Sequence, residues 1–322
     1  MKKGDPLILF IFILWGCRGE EAKPYNKVKL PGEMAFVRQP NILYHYSRGV
    51  LSNNILTDID NQSLLTVSWL GASDTLVGRA YVHFSQADKK IILQRLILLD
   101  TKGRRIGRLL LETRKGESIG TCYSSHSGKQ IAVEVTEGNK PNGRYEKASI
   151  RILNSIRLND IKNRLVITFD STLFVDLREW PWSKDDSKIV YSTWQPWSES
   201  NDYSKVGVFI YDLDRNRQIQ IDSDGHYAIW SQNGRLLAYI KNNSVWIYDL
   251  IGRERQLFYK AKFLEDLSAI HWSPDGIYLR IQGWRYRSLG YLFEKPIDRL
   301  LTIEDGEEVS FEQIGGGSYS WR

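Results

Sequence analysis

The sequence predicts an all-β fold, a six-bladed β-propeller closed by its N- and C-terminal strands. Three observations predict it. An aromatic step next to serine recurs six times, its aromatic positions falling at Trp69, Tyr123, Trp182, Trp230, Trp272 and Trp321, spaced 54, 59, 48, 42 and 49 residues apart. A period of about 40–50 residues with several short strands per unit is propeller spacing. Between the steps, short β-branched and aromatic runs alternate with Gly, Asn, Asp and Ser clusters, the pattern of strands and tight turns. Aromatics make up 12% of the 322 residues and hydrophobics 42%, enough to fill the interfaces between stacked sheets.

Each unit reads the same way. A first strand ends at the aromatic residue. A turn follows, clearest in Ser273-Pro274-Asp275-Gly276 and in Ser231-Gln232-Asn233-Gly234, with Gly free to take positive φ. The chain returns through an apolar second strand such as Leu236-Leu237-Ala238-Tyr239 or Lys188-Ile189-Val190-Tyr191. A third strand ends at an Asp, as in Val245-Trp246-Ile247-Tyr248-Asp249 and Val208-Phe209-Ile210-Tyr211-Asp212, and a polar turn leads to a fourth. A lone four-stranded sheet leaves its faces uncovered, so neighbouring units must stack on it, and the Trp is a wedge between blades. The weak first and last copies predict that the C-terminal strand, Tyr319-Ser320-Trp321, pairs with N-terminal ones, with Gly315-Gly316-Gly317 leading into it. Closure of this kind removes exposed sheet edges.

The string Trp272-Ser273-Pro274-Asp275-Gly276, with Tyr248-Asp249 at the matching place one unit earlier, resembles the WD40-like repeat of TolB-type propellers. The same repeat is similar to that of the propeller domains of prolyl-oligopeptidase-like enzymes. The resemblance covers about residues 50 to 322 and implies a fold rather than an activity.

Residues 1–16 read as a lipoprotein signal peptide: basic Lys2-Lys3, an apolar run from Leu7 to Trp15 too short for a bilayer span, then Leu14-Trp15-Gly16-Cys17, which resembles a lipobox. Cys17 is then the lipidated residue, 17–32 a polar flexible tether, and 33–322 the propeller. The expected location is the cell envelope, lipid-anchored and facing the periplasm or the exterior. Cys122 is left alone in a strand, a small buried hydrophobe with no disulfide partner. A net charge of +6, spread along the chain, is no nucleic-acid signature.

The sequence carries no catalytic motif. Its five histidines show no close metal-ligand spacing, and no Gly-x-Ser-x-Gly elbow occurs. No cofactor and no metal are expected. Asp58-Ile59-Asp60 and Asp212-Leu213-Asp214 superficially resemble calcium loops but lack the later Gly and Glu, and read as hairpin turns.

Binding is expected on the face shared by the second-to-third-strand loops and the blade-to-blade loops. Three loops of the first kind are long: Thr136 to Tyr145, Thr193 to Tyr203, and Gly283 to Ser288. They present Arg144, Tyr145, Trp194, Trp197, Tyr203, Trp284, Arg285, Tyr286 and Arg287, with Arg178 nearby in a blade-to-blade loop. Trp, Tyr and Arg dominate binding energy at interfaces. The reading is a non-enzymatic, lipid-anchored scaffold for an envelope protein or peptide. One alternative is a saccharide-binding lipoprotein, its rings stacking on sugars. Another is a propeller lyase or hydrolase, or a non-catalytic subunit of an envelope enzyme, which an acidic pair or a His–carboxylate pair converging at the channel mouth would favour.

Overall fold

A computed structural model describes residues 33–321, apart from 40–41, 48–49, 56–61, 87–88, 103, 107–108, 140–144, 155–164, 170–172, 196–205, 287–293 and 310–318. The expected signal peptide, tether and Cys17, and also Arg144, Trp197, Tyr203 and Arg287, lie outside the described residues. All regular structure among the described residues is β. The N-terminal end supplies β1 (Glu33–Gln39), β2 (Ile42–Ser47) and β3 (Val50–Ile55). Next come β4 (Gln62–Trp69), β5 (Thr75–Gln86), β6 (Lys89–Asp100) and β7 (Leu111–Glu112), then β8 (Glu117–Ser124), β9 (Gln130–Asn139), β10 (Tyr145–Asn154) and β11 (Leu165–Phe169). The third group is β12 (Phe174–Asp176), β13 (Lys188–Trp194), β14 (Gly207–Asp212) and β15 (Arg217–Asp222), and the fourth β16 (His226–Trp230), β17 (Leu236–Lys241), β18 (Ser244–Asp249) and β19 (Glu254–Lys260). The fifth is β20 (Glu265–Trp272), β21 (Tyr278–Tyr286), β22 (Glu294–Thr302) and β23 (Glu308–Val309), and the last strand is β24 (Tyr319–Trp321).

Five blades are each one antiparallel meander contiguous in sequence: β4 to β7, β8 to β11, β12 to β15, β16 to β19 and β20 to β23. The expected six-bladed propeller is therefore corrected to five blades. The aromatic motif scores only the first strand of a unit, and the sixth motif contributes that strand alone. Instead of opening a blade it joins a composite sheet in the order β24-β1-β2-β3. There Met34 faces Trp321, Ala35 faces Ser320 and Phe36 faces Tyr319, so the two ends of the described chain pair. The composite sheet packs through β1 and β24 on β4.

The repeated motif has one physical job, closing the turn after the first strand. Ser273 Oγ donates to Asp275, Tyr278 N donates back to Ser273 Oγ (2.9 Å), and Ile277 N donates to Asp275 Oδ1 (3.0 Å). Ser231 and Asn233 repeat these bonds in the fourth blade, and Ser183 and Asp185 in the third. Gly276 and Gly234 sit at φ 73° and 74°, which costs glycine nothing. Where a third strand ends at Asp, that residue caps the next turn: Asp249 Oδ1 accepts Ile251 N at 2.8 Å, and Asp212 Oδ1 accepts Arg215 N at 3.0 Å, so the Asp212 segment is the expected hairpin turn.

The wedge role is equally concrete for Trp182. It is 1% exposed, packs with Ala132, Ile150 and Ile152 of the neighbouring blade, and donates Nε1–H to the Tyr123 carbonyl at 3.0 Å. Cys122 is a free, buried thiol, raised to about 11 by burial, as expected of a small core residue. All three long loops prove shorter, the second because Thr193 and Trp194 belong to β13. Thr136 to Asn139 belong to β9 and Gly283 to Tyr286 to β21, because the hairpin ladders run on to the Tyr145–Asn139 and Tyr286–Glu294 pairs.

Candidate functional site

Two ends of the ring differ in chemistry. At the end where the motif strands begin, Trp194 closes β13 opposite Phe174 and stacks on its ring with centroids 4.7 Å apart. Trp284 stands in β21 opposite Asp266. Both are open to solvent, at 45% and 43%, and Phe263, in the turn before β20, is 80% exposed. The sequence reading missed Phe263. Its signal would have been an aromatic residue in a polar Lys-rich turn. Arg285 is ion-paired with the buried Glu265, which also holds Arg299 (2.7 Å) and Tyr259 OH (3.0 Å). Tyr286 reaches Asp266 at 3.5 Å, and Tyr145 begins β10 at the same end.

Arg178 is not in a blade-to-blade loop, a placement corrected here. Residues 177–181 interrupt the motif strand of the third blade between β12 and the bridge at Trp182, which puts Arg178 inside the ring. Its Nε lies 2.6 Å from Asp176, its Nη1 donates to Tyr227 OH at 3.0 Å, and its guanidinium covers the Tyr227 ring at 3.6 Å. Next to it Glu134 of β9 takes a hydrogen bond from Thr121 Oγ1 at 3.1 Å, and Thr121 O–H also reaches the Leu177 carbonyl at 3.1 Å. Burial, with Asp176 adding repulsion, pushes the Glu134 carboxyl up to about 7. Burial likewise raises Tyr123 and Tyr227 and lowers His226.

At the opposite end, where the motif strands finish, a cavity of about 270 Å³ opens between blades. Trp69, Tyr123, Trp180 and Trp182 wall it, with His126, Glu179 and Gln232 among its polar lining. His126 stacks on Trp180, centroids 5.4 Å apart. Trp180 takes φ 57°, and its carbonyl accepts Trp230 N at 3.0 Å, so the strained residue is held by the next blade. Glu179, 5% exposed, meets His271 Nδ1 of the fifth blade at 2.7 Å, across 92 residues of sequence. Sequence spacing could not bring these two together, because only ring closure does so. Among the described residues, no group of three or more His, Cys, Asp or Glu side chains is arranged to hold a metal.

No family model matches the chain. Over 88 residues it is 28% identical to dipeptidyl aminopeptidase B of Saccharomyces cerevisiae, a stretch covering 22% of this chain and 11% of that protein. Among solved structures it is similar to TolB from Acinetobacter baumannii (15% identity, TM-score 0.51, covering 91% of this chain and 67% of that one). It is also similar to an oligogalacturonate lyase in complex with manganese (13%, TM-score 0.52, 81% and 74%). A puromycin-hydrolysing peptidase from Mycobacterium tuberculosis aligns at 9% identity and TM-score 0.59 over 90% of this chain, which spans 45% of that chain's length. At these identities the likeness is one of fold. The chain is a β-propeller of the kind shared by TolB, by oligogalacturonate lyase and by these peptidases.

Proposed function

We propose that the protein is a non-enzymatic binding module that holds a protein or peptide partner on the face where its motif strands begin, anchored in the cell envelope through Cys17. The observation that carries this reading is the exposure of Trp194, Trp284 and Phe263 at that face. Large rings left in water on a stable scaffold supply binding energy to a partner. Tyr286, Tyr145, Arg144, Trp197, Tyr203 and Arg287 belong to the same proposed rim. The test is capture from envelope extract by the wild type and by the Trp194→Ala/Trp284→Ala variant, alongside thermal melts. Loss of one captured protein with Tm unchanged supports the module. Equal capture, or a Tm fall beyond about 4 °C, means that the rings are lids over blade edges.

A second reading has one observation in its favour. The His271–Glu179 pair at 2.7 Å is the His–carboxylate arrangement that favours an enzyme. Glu179 would be the base and His271 the group orienting it. Incubation with oligogalacturonate or puromycin tests it: no turnover that Glu179→Gln removes would leave the binding module as the standing reading.

A further inference from the structure

We propose that the end of the ring where the motif strands finish lies against an anionic phospholipid bilayer, touching it on the side of the first blade through the basic connection between β6 and β7. This surface is distinct from the docking face, and it rests on the Cys17 anchor only for what holds it near the membrane. Four cations fall within seven residues there, Lys102, Arg104, Arg105 and Arg108, with Ile106 among them and no acid. Lys102, Arg104, Arg105 and Ile106 are all exposed. Arg104 is held by Asp100 at 2.7 Å, whereas Lys102 and Arg105 have no ion pair among the described residues. Asp74 and Asp100 are the acids at the same end of this blade, so the connection keeps an excess of positive charge. Elsewhere at this end Arg215 and Arg235 are paired with Asp212 and Asp249, and the connection 303–307 carries Glu304, Asp305 and Glu307, which is why contact falls on the first blade's side.

Register places this connection. Trp69, the last residue of β4, pairs with Leu76, Leu76 with Leu99, and Leu99 with Arg105, one row across the first blade. The chain before residue 33 joins the ring at the same end and beside the same blade. β24 ends at Trp321 as β4 ends at Trp69, Met34 pairs with Trp321, and β1 and β24 both pack on β4. Residues 17–32 reach at most roughly 50–60 Å when fully extended. A lipid on Cys17 therefore keeps this end, not the docking face, next to the bilayer. Guanidinium and ammonium groups pair with headgroup phosphates, and Ile106 enters the shallow interfacial layer. The docking face at the other end then points away from the membrane, toward its partner.

The test uses the full chain carrying Cys17→Ser, which removes the lipid, and vesicles of phosphatidylcholine alone or mixed with phosphatidylglycerol in equal parts. Cosedimentation gives the preference for the anionic vesicles. Lys102→Ala/Arg105→Ala should lower that preference about tenfold or more. Lys260→Ala/Lys295→Ala removes the same charge from exposed positions at the opposite end and should change it less than about twofold. The apolar run 7–15 is common to all these chains and cancels in the comparison. Thermal melts check folding, and Lys102→Gln/Arg105→Gln replaces the first variant should it unfold. A loss no greater for the first pair than for the second, or no preference of the Cys17→Ser chain for anionic vesicles, overturns the proposal. The mass of the wild-type chain recovered from envelopes shows separately whether Cys17 carries a lipid. Its absence would remove the anchor from the proposed function and leave the vesicle result to decide this surface.

Discussion

Replacing Glu134 by Gln should flatten the dependence of stability on pH between about 4.5 and 7. Glu134 lies directly over Gly120, so close that a Cβ on that glycine would come within 2.5 Å of the carboxyl carbon. Burial is the largest cause of its raised pKa, Asp176 the next, and the hydrogen bonds of Thr121 with the charge of Arg178 oppose them. A folded-state value of about 7 against an ordinary 4.5 means that the folded protein holds this proton more tightly than the unfolded chain. The resulting stabilisation is complete below about pH 4.5, shrinks as pH rises, and is gone above about 7. Two and a half pKa units correspond to roughly 3 kcal/mol. Glu134 is not fully buried, and solvent screening lowers the effect to roughly 1–2 kcal/mol. Asp176, raised by burial despite Arg178, leaves some slope in the variant. Urea unfolding of both proteins at about pH 4.5, 6 and 8 measures the difference. If the gap between wild type and Glu134→Gln is the same at both ends of that range, Glu134 does not titrate as reasoned.

Three further outcomes follow from the packing. Trp182→Ala should cost about 3–5 kcal/mol in urea unfolding, and Trp182→Phe about 1, since the second keeps the wedge and loses only the bond to the Tyr123 carbonyl. Arg280 is fully buried and pairs with Asp298 through Nε at 2.6 Å. Arg280→Met should therefore cost about 3–5 kcal/mol, with Asp298→Leu added to it restoring much of the loss. Deleting 315–322 strips β24 from the edge of β1 and should lower Tm well beyond a tail deletion, whereas an unchanged Tm would deny β24 a part in closure.

The fold was legible because its signal is local. Ser273 and Asp275 close a turn within five residues, and Asp249 caps another within three, so each unit repeats a chemistry that can be read residue by residue. The blade count was less legible, because Trp321 looks like the other motif aromatics in sequence yet ends a strand shared with β1. Trp194 and Trp284 could be placed at one end because hairpin geometry follows from strand order. Glu179 and Gln232 could not. Gln232 reads as an ordinary turn residue, and Glu179 meets His271 only through a break in a motif strand and the closing of the ring. Arg178 was misplaced for the same reason: the break at 177–181 has no Gly or Pro pair to announce it, only Pro181 at its end.

Where the motif strands begin, the ionic groups are already spent on one another. Glu117, first residue of β8, shares Arg151 with Glu137, each pair at 2.9 Å. Glu265, first residue of β20, takes both Arg285 and Arg299. Asp222, at the end of β15, holds Lys241 at 2.9 Å and Tyr239 OH at 3.2 Å. Releasing Arg285 to a ligand carboxylate would leave Glu265 buried with less countercharge, which costs several kcal/mol. Trp194, Trp284 and Phe263 remain exposed at that face, with Lys262 next to Phe263 as a nearby exposed cation. Ions screen contacts between exposed charges and leave ring burial almost untouched. Partner capture on this face should therefore change less than about twofold between roughly 0.1 and 0.5 M salt. A loss of about tenfold or more over that range would mean that arginines such as Arg285 leave their internal acids to bind, and the aromatic docking face would have to be given up.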